Sequence, residues 1–194
     1  MPQKKIIDDQ SVLEKALLVI SERGPESFTL ADVGKAVGLA PATLMQRFGS
    51  KQQLLILAAK QANIRLREDL KELKQKKLGW DRELVHLFSA MPEGFGSHQD
   101  IANSLGILKL DMVDPELHPI ARQLFESLRQ RIQELLQEGQ ALAQLDSSFD
   151  VDLITWELDA LRHGLVIQWT LSGKGTLQKW LERGFKNYFK RLKK

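Results

Sequence analysis

Cysteine is absent from the 194 residues. That excludes a disulfide framework, a thiol nucleophile and any zinc or iron–sulfur centre held by thiolates. Strand signals are also missing, since no alternating run of Val, Ile, Thr and aromatics lies between turn pairs. No apolar run approaches the ~18–20 residues that cross a bilayer. Met1-Pro2-Gln3-Lys4-Lys5 leads into Asp8-Asp9 without an apolar core of signal-peptide length. The expectation is a cytoplasmic protein with no membrane partner. Enzyme signatures are lacking as well, with no Gly-x-Ser-x-Gly, P-loop or dinucleotide fingerprint. His86, His98, His118 and His163 are scattered without metal-ligand spacing. Hence no catalysis, no cofactor and no metal are expected.

Charge of one sign is scarce overall: 28 Lys plus Arg face 25 Asp plus Glu, a net +3. That excess alone does not imply nucleic-acid binding. Divided along the chain it is uneven, at +2 over residues 1–60, −6 over 61–173 and +7 over 174–194. The basic tail suits the C-terminal end of a helix through its dipole. The acidic middle favours a cationic ligand over an anionic one.

Helical spacing, in contrast, recurs throughout. The first helix runs from about Gln10 to Arg23, capped by Asp8 and Asp9 and stopped by Gly24-Pro25. A second opens at Thr29, with Asp32 in capping-box position, and stops at Gly38. Pro41 starts a third, Pro41 to Phe48, whose Leu44 and Phe48 face inward. Ser50 with Gln53 launches a long fourth helix reaching about Leu73, followed by a basic loop to Gly79. Further helices are expected over Trp80 to Ala90, Ile101 to Met112, from Asp114-Pro115 to near Gly139, Asp150 to Ser172, and from Thr176 to the end. The fold class is all-α. A three-helix head over 1–55 is joined by the long helix to a helical body over 56–194.

A helix, a tight glycine turn and a short helix, packed on a preceding one, make a helix-turn-helix reader. The third helix fits a major groove, with apolar residues behind and short polar ones in front. Thr43 and Gln46 suit base edges, Ala42 and Met45 suit thymine methyls, and Arg47 suits guanine or phosphate. Pro41 opens that helix. Thr29 and Lys51 suit phosphates. Lys4, with Lys5, suits the adjacent backbone or minor groove as an arm. The plain alternative is a helical bundle with a short connector.

At this point the residues carry a resemblance. The run from Phe28 to Leu55 resembles the DNA-binding segment of the TetR family of bacterial transcription regulators. The glycine turn at Gly38, the triplet Ala42-Thr43-Leu44, the sequence Phe48-Gly49-Ser50-Lys51 and the closing Leu54-Leu55 all stand in register. Met45 departs from the family's Tyr, and Ala40 from its Ser or Thr. The resemblance implies a repressor with two-fold symmetry, reading a palindromic double-stranded DNA operator as a homodimer and released by a small-molecule effector. A second reading is a helical interaction protein that keeps the fold without reading DNA.

The resemblance assigns the body to ligand binding and dimerisation. The helix over 150–172 is apolar almost all round and must be buried on more than one side. Trp156 and Leu165, with Leu177, Leu181, Phe185 and Phe189 of the last helix, are the expected dimer interface. Trp80, Phe88, Met91, Phe95, Met112, Trp156, His163 and Trp169 are the candidates for lining an apolar effector pocket.

Overall fold

The structure is a computed structural model that describes residues 7–90 and 96–193. Lys4, Met91 and Phe95 lie outside those residues. The described residues form α1 (Asp9–Arg23), α2 (Leu30–Val37), α3 (Pro41–Phe48), α4 (Lys51–Gln75), α5 (Trp80–Ser89), α6 (His98–Val113), α7 (Leu117–Ala141), α8 (Val151–Ser172) and α9 (Leu177–Leu192). Among them there is no strand, only an isolated antiparallel bridge between Leu145 and Lys193. None of these helices is long and apolar enough to cross a membrane.

Most helix starts follow from a side-chain cap. Asp8 accepts from Ser11 N at 2.7 Å, Asp150 caps α8 and Thr176 caps α9. At α2 the box closes fully with Asp as the acid: Asp32 N donates to Thr29 Oγ1 at 3.1 Å, and Thr29 N to Asp32 Oδ2 at 2.9 Å. The Thr29 hydroxyl, donating to Asp32 Oδ2 at 2.7 Å, and then the Thr29 N–H hold the Asp32 carboxyl below its usual range. Each such cap is worth ~1 kcal/mol. Two boundaries differ from the sequence reading. α4 continues to Gln75, two residues beyond Leu73. α6 begins at His98 instead of Ile101, because Ser97 and Asp100 make another reciprocal box, with bonds of 2.9 and 3.0 Å.

The chain divides into two compact units. The first comprises residues up to Leu66 together with Ala102–Gln123, so the expected break at 55/56 falls within α4. Its core gathers Val12, Ala16 and Ile20 of α1, Phe28, Val33, Leu44, Phe48, Leu54, Ala58 and Leu117. α2 packs on α1 and α3 on α2. For helices of only eight residues this burial, not local propensity, supplies the stability.

The second unit comprises Arg67–Ile101 and Leu124–Lys194. α9 packs against α5 and α8. Its core contains Trp80, Leu84, Phe88, Leu135, Leu136, Leu158, Trp169, Leu181 and Phe185. Phe88 stacks on Phe185 at 4.4 Å between ring centroids, and Trp80 meets Phe189 edge-on at 5.9 Å. A buried ion pair crosses this unit: Arg131 Nε donates to Glu83 Oε1 at 2.8 Å and Arg131 Nη1 to Glu134 Oε2 at 2.7 Å.

Candidate functional site

The geometry of the α2–α3 turn depends on two glycines. Gly38 takes the left-handed conformation, φ 71° and ψ 30°, which ends α2. Gly34 is buried one turn earlier, and a Cβ there would lie 2.5 Å from the Leu39 carbonyl oxygen. Leu39 N donates to Gly34 O at 2.9 Å, so the turn folds back onto the space a side chain would fill. The sequence reading missed Gly34, although a glycine inside a two-turn helix is a signal for such an approach.

α3 follows with no side-chain cap at Ala40, whose carbonyl accepts from Thr43 N at 2.9 Å instead. Leu44 and Phe48 are buried. Pro41, Ala42, Met45 and Gln46 are exposed, and Thr43 is half-buried. Five of the expected contact residues thus share the outer side of one short helix. Lys35 of α2, not singled out from the sequence, is also exposed.

The other expected contacts are held elsewhere. Arg47 does not project from α3: its Nε donates to Asp9 Oδ1 at 2.8 Å and its Nη2 to the Ile7 carbonyl at 3.1 Å. A guanidinium on the fourth residue after Thr43 reaches back to the start of α1, where a carboxylate is available, and so anchors the reading helix. Lys51 Nζ donates to the Glu26 carbonyl at 2.8 Å and lies 4.5 Å over the Phe28 ring. Thr29 is engaged with Asp32. For Arg47 and Lys51 the structure corrects the expectation of a free contact. They tie α3 and α4 to the rest of the head.

In the second unit the expected residues separate. Leu177 and Phe189 are 2% exposed, and Leu181 and Phe185 are fully buried. They form the chain's own core and present nothing to a partner. α9 is strongly amphipathic, so its apolar face is consumed by α5 and α8. Leu165 is half-buried and turned toward α9, where a Cβ on Gly184 would come within 2.5 Å of its Cδ1. Trp156 alone of that set is open, 58% exposed with the Arg129 guanidinium 3.9 Å over its ring.

The pocket candidates fare similarly. Met112 is 62% exposed and belongs to the first unit, and Trp156 faces outward, so neither lines an interior. Trp80 donates from Nε1 to Gln144 Oε1 at 2.6 Å and, with Phe88, is plain core. His163 is half-buried with Nδ1 2.8 Å from the Asp159 carbonyl oxygen. Trp169 is buried with no partner for its Nε1. A groove of about 510 Å³ does occur along α5 and α9, but its lining is mostly charged, with Asp81, Lys179, Arg183, Lys186 and Lys190 beside the apolar Val85 and Phe189. Among the described residues no group of His, Cys, Asp and Glu is placed to hold a metal ion.

A short helix with a polar and small outer row, set by a glycine turn against two supporting helices, defines a helix-turn-helix regulator with an attached helical body. Comparison with known proteins gives the family. Residues 12–58 match the model of bacterial regulatory proteins of the tetR family, and residues 89–185 that of the BetI-type transcriptional repressor C-terminal domain. The chain belongs to the TetR family of bacterial transcriptional regulators. Over 60 residues it is 33% identical to the HTH-type transcriptional regulator BetI of Rhizobium meliloti, a stretch covering 31% of this chain and 30% of that protein. A transcriptional regulator from Saccharomonospora viridis, solved with choline, shares the fold with a TM-score of 0.73 at 20% identity, over 94% of this chain and 96% of that one. A TetR transcription regulator from Haloarcula marismortui gives 0.75 at 13% identity, over 97% and 100%.

Proposed function

We propose that this chain is an effector-responsive repressor that reads a palindromic DNA operator as a homodimer in the cytoplasm. The observation that carries the reading is the outer row of α3, where Pro41, Ala42, Met45 and Gln46 stand exposed beside Thr43. Leu44 and Phe48 anchor that helix from behind, and Arg47 anchors it from the side. Thr43 and Gln46 supply donors and acceptors for base edges, and Ala42 and Met45 supply methyl contacts. Lys35 and Lys4 serve the phosphates.

The dimer is supported by α8. Leu153, Trp156, Ala160, Gly164, Ile167 and Leu171 recur at three- and four-residue steps and fall on one outward side. Leu153, Trp156, Ile167 and Leu171 are exposed apolar side chains, and a Cβ on Gly164 would meet nothing within 4 Å. An apolar stripe with small residues at its centre fits a second copy of itself across a two-fold axis. Its length, about five turns, suits an antiparallel or crossed helix pair.

The choline bound by the Saccharomonospora viridis regulator and the BetI-type match of residues 89–185 support a small-molecule site in the second unit. The effector acts only by binding the operator-incompetent shape more tightly than the competent one. α4, α6 and α7 each contribute residues to both units and are the routes for that coupling.

The test is selection of duplexes from a random pool by the full chain, followed by gel shift. A palindromic consensus is expected, and Thr43→Ala or Gln46→Ala costs about 1–3 kcal/mol of specific affinity each. Equal affinity of both variants for the selected site sinks α3 as the reader. The interaction-protein reading draws on Arg47 and Lys51 being tied to protein groups. It predicts weak, sequence-indifferent DNA binding, with no steep fall of specific affinity on adding salt.

A further inference from the structure

Two donors on the inward side of α8 lack acceptors. Trp169 is 1% exposed and its Nε1 hydrogen-bonds to nothing. Arg162 is half-buried, and among the described residues no carboxylate or carbonyl oxygen pairs with its guanidinium, whose nitrogens are not fully enclosed and so still reach water. Leu158, Arg162, Val166 and Trp169 form one inward row, with Arg162 and Trp169 seven residues apart. That is two turns, roughly 10 Å along the axis.

Such groups need an explanation. A guanidinium keeps its charge, so enclosing it costs stability unless acceptors surround it. Burial draws Arg162 below its ordinary pKa, and the field of Asp159, one turn back, only partly opposes that. Asp159 also lies 3.7 Å from His163 Nδ1. Arg131 of the same unit shows the ordinary solution, with its bonds to Glu83 and Glu134. Arg162 has none. Trp180 Nε1 on α9 is a further buried donor without a partner. The buried side-chain atoms left unsatisfied among the described residues of this unit are therefore donors, and what is missing is an acceptor. Access is short: the exposed His98 ring stacks on Trp169 at 4.0 Å, one imidazole between the indole and water.

We propose that the second unit binds a small molecule carrying an oxyanion, such as a carboxylate, with the anion on Arg162 and a second acceptor atom on Trp169 Nε1. This rests on the effector-responsive reading above and names the effector's chemistry. It reverses the cationic preference drawn from the net charge of residues 61–173. Choline, a cation with one hydroxyl, leaves the guanidinium without a counter-charge.

The experiment uses the full chain and matched pairs that differ in the acid group: benzoate with benzyl alcohol, decanoate with decanol, and trimethylglycine with choline. Binding is followed by titration calorimetry and thermal unfolding. At least one acid is expected to bind tenfold or more tightly than its alcohol, and Arg162→Gln removes the difference. Independently of any ligand, Arg162→Met raises the melting temperature of the free protein by roughly 2–4 °C, because an unpaired charge is gone. Alcohols binding as well as acids, no acid binding, or a lower melting temperature for Arg162→Met would each overturn the assignment. Operator binding is measured separately on the same protein. A chain that binds its operator but no acid keeps the repressor reading and loses this one. A chain that holds an acid through Arg162 but finds no operator does the opposite.

Discussion

α8 and α9 are neighbours in the chain and pack on each other, yet they distribute polarity in opposite ways. α9 hides Leu177, Leu181, Phe185 and Phe189 and shows Lys179, Arg183, Lys186 and Lys190. α8 shows Leu153, Trp156, Ile167 and Leu171 and turns Arg162 inward. The amphipathic helix is complete within one chain. The helix that is apolar on the outside and turns Arg162 inward is the one to which we assign partners, a second copy on one face and an acceptor on the other. A strong hydrophobic face is thus evidence for the chain's own core, whereas apolar surplus all round is evidence for a contact beyond it.

The largest expected effect tests the α9 side. Phe185→Ala removes a fully buried ring stacked on Phe88 and should cost about 3–5 kcal/mol in urea unfolding. Loss of dimerisation with unchanged stability would instead place Phe185 at an interface. Next comes the seam between the two helices. Gly184→Ala sets a Cβ within 2.5 Å of Leu165 Cδ1 and should cost about 1–3 kcal/mol, less if Leu165 changes rotamer. Gly164→Arg tests the outer face of α8. Open space awaits the new side chain, so folding stability should stay within ~0.5 kcal/mol while light scattering reports a monomer. A dimer that survives this change lies elsewhere on the molecule.

The same contrast explains what could be read in the sequence. Elements marked by local chemistry are legible: the caps at Asp8, Thr29 and Thr176 and the stop at Gly38 each act within four residues. The inward pair Leu44 and Phe48 followed from spacing, and with it the outer row of α3. What failed depends on groups distant in sequence. Arg47 meets Asp9 across 38 residues, and Lys51 meets the Glu26 carbonyl across 25, so nothing near either residue marks it as a tether. The apolar faces of α8 and α9 look equally available until α5 is seen to cover one of them. Gly34 and Ser97 carried local signals that were passed over, a glycine inside a short helix and a Ser-x-x-Asp box.

The smallest effect concerns how the conventional helix is fastened at its end. Lys193 donates to Asp81 Oδ2 at 2.6 Å, tying the C-terminus of α9 to the first turn of α5, and its ammonium lies 5.6 Å from the Trp80 ring centroid. Burial pushes the Asp81 carboxyl up. The bond and charge of Lys193, with the N–H groups of Arg82 and Asp81 itself, outweigh it and leave the carboxyl below its ordinary value. A carboxyl depressed in the folded state stabilises fully above its unfolded value and loses that contribution as the pH falls through the folded one. Lys193→Met removes the principal cause. As the pH falls below the ordinary carboxylate range the variant's melting temperature should fall less steeply than that of the parent protein, and at pH 7 the variant should be slightly less stable, by less than ~1 kcal/mol for a partly exposed pair. Parallel acid limbs would show that the tie contributes nothing and that α9 is held by its buried face alone. A larger loss at pH 7 than from Gly184→Ala would show the reverse, with the end of α9 mattering more than its seam with α8.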